Sequence, residues 1–105
     1  VAESALVALR PLNNPQLSAM YAYETLSETE WNAPYVDNVF IPNVWNDISD
    51  EINIKIEAMQ CYKSQLCSDV QPRSIDTIKA LARYRGSTIG VPYAESFMLI
   101  RQIMK

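Results

Sequence analysis

Not one histidine occurs in the 105 residues of this chain, so the usual base behind a serine or cysteine nucleophile is missing from its own side chains. A zinc site built on imidazole is excluded for the same reason. Cysteine is nearly as scarce. Cys61 and Cys67 are too few for a disulfide framework. They fall where a helix interior meets its C-terminal end, so reduced, partly buried thiols are expected in preference to a bridge or a metal role. A cytoplasmic setting follows. No apolar run reaches the length that crosses a bilayer, and no basic segment followed by an apolar one reads as a secretory signal. The net charge of -3 and a pI near 4.8 come without any block of basic residues, which argues against nucleic acid as a partner.

What is present is a globular composition. At 49% hydrophobic the chain is long enough for one core, and one domain or a large part of one is expected. It opens at Val1 without an initiator methionine, already inside an amphipathic pattern: Val1, Ala2, Ala5, Leu6 and Leu9 recur at helical spacing. No Ser, Thr, Asp or Asn precedes them to accept the first unpaired amide hydrogens, so the start of this helix is expected upstream. The chain reads as a cut piece of something larger.

Pro11 and the cluster Asn13-Asn14-Pro15 end the first helix near Arg10. Residues 20–25 are aromatic and alternating, which predicts a strand with Tyr21 and Tyr23 on one face and Ala22 and Glu24 on the other. Residues 26–43 carry acids, Trp31 and two prolines without a sustained period, and a long loop is expected. Val44 to Ile48 reads as a second strand, with Val44, Asn46 and Ile48 facing one way and Trp45 and Asp47 the other. Ser49 then offers a hydroxyl N-cap, with Asp50 and Glu51 in the first turn of a helix to about residue 66. Ile52, Ile56, Met59 and Leu66, flanked by Ile54, Ala58 and Cys61, predict a wide apolar face. Ser74 is a second N-cap, before a stripe of Ile75, Ile78, Leu81 and Ala82 that Gly86 is expected to close in a left-handed conformation. The run from Tyr93 to Ile100 fits strand or helix on period alone; the preceding Gly-Val-Pro favours strand, with a helical Ile-Met tail left open.

Among the acids, Glu28 and Glu30 read as solvated loop residues. Glu24 alternates with aromatics and faces a buried layer, where it needs a partner or a role, and a structural hydrogen bond or ion pair is the favoured reading. Glu95, an acid in an apolar segment, is expected to pair with an arginine. Arg83 and Arg85 sit near a helix C-terminus, where they offset the dipole and have the chemistry to hold an anion.

Three stretches invite comparison with a known family. They are Tyr21-Ala22-Tyr23-Glu24-Thr25-Leu26-Ser27-Glu28-Thr29-Glu30-Trp31, then Lys55 through Leu66, then Arg83-Tyr84-Arg85-Gly86 through Gly90-Val91-Pro92-Tyr93-Ala94-Glu95-Ser96-Phe97. In this order they resemble the C-terminal half of LmbE/PIG-L family deacetylases, and the resemblance covers nearly the whole chain. It implies an α/β fold, the C-terminal portion of a Rossmann-like deacetylase domain with about three helices and three short strands. It also implies that residues 1–105 form part of a single domain whose metal-binding half, with its His-Pro-Asp-Asp and His-x-x-His segments, precedes Val1.

The activity implied is hydrolysis of the acetamide of an N-acetylglucosamine-type conjugate. Zinc in the full-length parent would activate a water, while the present residues carry no metal ligand and no catalytic base and are expected to be inactive alone. What they would supply is scaffold and pocket wall. Glu24, Thr25, Trp31 and Arg85 are the candidate substrate-binding residues, the first two because ligands of open parallel sheets bind beyond the C-terminal strand ends. Trp31 either lies against a sugar ring or anchors its loop on the core. A small N-acetylated sugar conjugate is the expected partner, and a severed sheet edge makes a homo-oligomer plausible. The other reading is a non-catalytic interaction or assembly module that shares the pattern.

Overall fold

A computed structural model describes residues 2–25, 39–62 and 74–104. In it the alternating segments become strands and the 3.6-period segments helices, in the order α1 (Ala2–Ala8), β1 (Ala19–Tyr23), β2 (Val44–Asp47), α2 (Ile52–Gln60), α3 (Ile75–Ser87) and β3 (Ala94–Gln102). Three helices and three strands among the described residues agree with the α/β composition expected. The sheet order is β1-β3-β2, with β3 antiparallel to both neighbours. Among the described strands, the last in sequence therefore stands in the middle, flanked by the two earlier ones.

β1 follows its sequence pattern closely. Met20 is buried and Ala22 half-buried, while Tyr21 and Tyr23 point to the exposed side. Its pairing with β3 carries an irregularity: Met20 lies opposite Arg101 but Tyr21 lies opposite Leu99, so Ile100 is the extra residue. β2 pairs Val44 with Phe97, Trp45 with Ser96, Asn46 with Glu95 and Asp47 with Ala94. Beyond β3 the chain does not turn helical. The Ile103 amide instead donates to the Ser18 carbonyl at 2.7 Å, continuing the ladder one step past β1.

α3 packs on β3 through Ile78, Ala82 and Gly86, three buried residues spaced four apart on one face. Its start matches expectation, since the Ser74 hydroxyl accepts from the Thr77 amide at 3.1 Å and donates to the Thr77 hydroxyl at 2.8 Å. Its end does not. Gly86 lies inside the helix, and the left-handed residue is Gly90, at φ 79°. Gly86 is small for a different reason: a Cβ there would stand 2.6 Å from the Val91 carbonyl oxygen and 2.9 Å from both Cα and N of Tyr93. Gly90 turns the chain back, and Gly86 lets it return against the helix.

α2 begins later than its sequence suggests. Ser49 does not cap it; the N-cap position is Glu51, with no side-chain capping bond. The Ser49 hydroxyl is already used, donating to Asp47 Oδ1 at 2.5 Å and sitting 3.4 Å from both the carbonyl and the amide of Tyr93. The inward face is also narrower than expected. Ile52 is buried and Ile56 and Met59 half-buried, whereas Ile54, Ala58 and Cys61 are exposed. A helix docked on one side covers only one stripe, and these three lie off it. Cys61 is thus an exposed free thiol and not a partly buried one. Cys67 and the expected continuation of the helix to residue 66 lie outside the described residues.

Among the described residues, Ile48, Ile52 and Ala82 form a core cluster with Tyr93 packed against it, and Met20, Ile78 and Ala94 are the other buried hydrophobics. α1 stands with Leu6 and Val7 exposed. It is held at its C-terminal end, where the Asn14 side chain donates to the Ala8 carbonyl at 2.7 Å and Arg101 donates to the Leu9 carbonyl at 3.1 Å. Among the described residues no helix is long and apolar enough to cross a membrane.

Candidate functional site

Where β1 ends, α3 crosses the sheet, and the two elements meet in a pair of opposite charges. Glu24 is the first residue past β1, on the inward face that the alternation assigns it; Arg85 is in the last turn of α3. Arg85 Nε donates to Glu24 Oε1 at 3.2 Å and Nη2 donates to Oε2 at 2.8 Å. This is the two-pronged geometry that the guanidinium fork and the carboxylate share. The side chains are only 16% and 18% exposed, so water screens the pair weakly. The guanidinium carbon also lies 5.4 Å from the Tyr84 ring and 5.9 Å from that of Phe40, which brings residue 40 to the same helix end.

Beside this pair opens a cleft of about 320 Å³. Ala82 and Ala94 line its base, both almost completely buried. Lys55 from α2 and Glu95 from β3 add a second ion pair at 2.9 Å, with side chains 33% and 38% exposed. Tyr23 and Phe97, register partners on β1 and β3, bring aromatic surface to it. Ser96 also lines the cleft; it is 6% exposed, and its hydroxyl has no hydrogen-bond partner. Two carboxylates thus face two cations, and their formal charges cancel.

The ion pair favoured for Glu24 is present, and the structure joins it to Arg85, another candidate from the sequence. Thr25 follows Glu24 half-buried but does not line the cleft. Trp31 lies outside the described residues, as do Glu28 and Glu30. Glu95 pairs with a lysine, not an arginine. The strand-end rule invoked for Glu24 requires parallel strands, and β1 is antiparallel to β3. Glu24 reaches the cleft because α3 crosses the sheet there. Sequence reasoning passed over Lys55 and Ser96. For Ser96 a signal existed, since a hydroxyl between Ala94 and Met98 occupies an inward position of a strand.

Elsewhere, Asp47 accepts from both the amide and the hydroxyl of Ser49, at 3.0 and 2.5 Å. These bonds, the hydroxyl's first, hold its carboxyl below the ordinary value of 3.8. Their consequence is local, fixing the turn between β2 and α2. Glu24 and Glu95, the carboxylates of the cleft, are each engaged with a cation. Among the described residues no three His, Cys, Asp or Glu side chains gather where they could hold a metal ion. Compared with models of known protein families, the chain matches none.

Proposed function

We propose that this chain is the substrate-side scaffold of a zinc-dependent N-deacetylase that hydrolyses the acetamide of an N-acetylglucosamine-type conjugate. In this reading it belongs to a Rossmann-like α/β domain whose metal-binding half lies upstream of Val1, and it is inactive by itself. The parent works in the cytoplasm on a small sugar conjugate.

The observation that carries the reading is the cleft bounded by the Glu24–Arg85 pair. It combines small apolar side chains at its base with a few fixed polar groups and aromatic surface, the usual make-up of a small-molecule site. A wall of this kind orients a substrate without reacting with it. The second reading is an interaction or assembly module, including a homo-oligomer, to which apolar side chains exposed on several elements (Leu6 and Val7 on α1, Tyr21 and Tyr23 on β1, Ile54 on α2) would contribute contact surface.

The test begins with the codons preceding Val1, which on the deacetylase reading encode a His-Pro-Asp-Asp motif and a later histidine pair. The protein from the full reading frame should then release acetate from N-acetylglucosamine conjugates and lose this activity to a chelator. The 105-residue chain should release none. Absence of both motifs, or of acetate release by the full protein, sinks the deacetylase reading; turnover by the short chain sinks the scaffold assignment.

A further inference from the structure

β1 and β2 run parallel to one another on opposite sides of β3, since each is antiparallel to it. The last residue of β1, Tyr23, and the first of β2, Val44, both lie opposite Phe97. Passing from one to the other takes two strand spacings, roughly 10 Å. Residues 24–43 make the connection, and at roughly 3.3–3.6 Å per extended residue a handful of them would suffice. The chain has far more length here than its topology requires. Both ends of the excess are gathered at Arg85, in the last turn of α3.

From β1 the chain reaches Arg85 as Glu24, whose carboxylate accepts from Nε at 3.2 Å and from Nη2 at 2.8 Å. It is at Arg85 again as Phe40, whose ring centroid lies 5.9 Å from the guanidinium carbon. Shortly after, Asn43 is tied to β3 twice: its amide donates to the Phe97 carbonyl at 3.0 Å, and its side-chain oxygen accepts from the Leu99 amide at 2.7 Å. Only Ile41 and Pro42 lie between these two fixed points, and the proline favours an extended conformation in the residue before it. The two contacts of Arg85 depend on each other. Two bonds to one carboxylate fix the direction of the planar guanidinium, and with it the place where the Phe40 ring can dock.

We infer that Arg85 is the clasp of this connection, a positioning residue that holds the exit of β1 and the approach to β2 together, so that release at Glu24 also releases Phe40. Tyr23, Glu24 and Arg85 line the cleft, so the same clasp sets its rim on this side. A lysine would keep the charge but lose the fork and the flat face. The inference is independent of the chemistry proposed above, and holds for a deacetylase and for an assembly module alike.

Fluorophenylalanine labelling of the protein from the full reading frame reads the coupling by fluorine NMR, with Phe40→Leu and Phe97→Leu assigning the two rings. Glu24→Gln keeps the shape of the acid without its charge, and should move the Phe40 signal toward its position in the urea-unfolded protein. Arg85→Lys should do the same. The Phe97 signal should keep its folded position in both, showing an intact sheet. Lys55→Ala, which breaks the other ion pair of the cleft, should leave Phe40 where it is. In a denaturation cycle, Glu24→Gln and Phe40→Leu together should change the unfolding constant by about 2- to 10-fold less than the product of their single effects. A Phe40 signal unmoved by Glu24→Gln or by Arg85→Lys overturns the clasp, as does a cycle in which the single effects simply multiply. Collapse of the Phe97 signal along with that of Phe40 overturns it too, because the pair would then hold the whole fold and not this connection.

Discussion

Replacing Gly86 with alanine sets two effects of opposite sign against each other. Gly86 is inside α3, and in a helix interior alanine is favoured over glycine by about 1 kcal/mol. On propensity alone the substitution stabilises. The added Cβ, however, would meet the Val91 carbonyl oxygen at 2.6 Å and Tyr93 Cα and N at 2.9 Å. All three are backbone atoms, which cannot rotate aside as a side chain can. Overpacking of this kind costs about 1–3 kcal/mol, and rigid neighbours put it at the upper end. Pushing the returning chain away also strains the bonds that the Ile89 and Val91 amides donate to the Gly86 carbonyl, both 3.0 Å. Their weakening adds about 1 kcal/mol. The net loss is about 3 kcal/mol, a large part of the roughly 5–15 kcal/mol that holds an ordinary domain together. Urea denaturation followed by far-ultraviolet circular dichroism should show the midpoint falling by about 1–3 M at the usual slopes. Gly90→Ala is the comparison, since Gly90 has φ 79° and open space around it. It suffers only the left-handed backbone penalty, about 1–2 kcal/mol. A Gly86→Ala midpoint equal to or above wild type would refute the close-approach account and leave helix propensity in charge.

Other substitutions separate buried interactions from exposed ones. Ser74→Ala should cost about 1–2 kcal/mol by chemical denaturation, through loss of the cap on the Thr77 amide. Glu24→Ala should cost about 2–3 kcal/mol because it leaves the Arg85 charge, 16% exposed, without its partner. Adding Arg85→Ala should then cost less than the sum of the two single changes; strict additivity would show that the two residues are not coupled. Lys55→Ala breaks the more exposed pair and should cost less than about 1 kcal/mol, an effect that fades in salt. Asp47 gives a pH dependence with a definite sign: its carboxyl is held below 3.8 in the folded chain. Its contribution to stability is therefore complete above the unfolded value and lost as pH falls below about 4, through the folded one. Ser49→Ala should move the Asp47 titration, read by carbon NMR, back up toward 3.8.

Local rules located what local interactions decide. The alternation of Met20 to Glu24 identified both the strand and its inward face, and Ser74 before an apolar stripe identified the start of α3. Gly86 and Ser49 were misassigned because tertiary contact with Tyr93 decides both: its backbone demands a glycine at position 86 and also engages the Ser49 hydroxyl. Tyr93 is far from Ser49 in sequence; it is near Gly86, but only the turn at Gly90 folds it back against the helix. The site was legible in the same partial way. Glu24 was recognisable as an acid needing a partner, and Arg85 as a cation at a helix end, but 61 residues separate them. Only the crossing of α3 over the sheet joins them. The Lys55–Glu95 pair was half legible: Glu95 stood out as an acid needing a cation, but that the cation is Lys55 depends on where α2 comes to lie.

The central place of β3 governs when the sheet can exist at all. Met20 pairs with Arg101, about 80 residues later, so during synthesis at roughly 5–20 residues per second the first strand waits about 4–16 s for its partner. β2 must wait for the same strand. Until then Tyr21 and Tyr23 accompany two unsatisfied strand edges in a nascent chain, a species that invites pairing with the wrong neighbour. α3 is synthesised before β3, so its apolar face is on hand for β3 to settle against, after which β3 can collect the two strands already synthesised. The order of synthesis turns the middle of the sheet into the step on which its assembly depends.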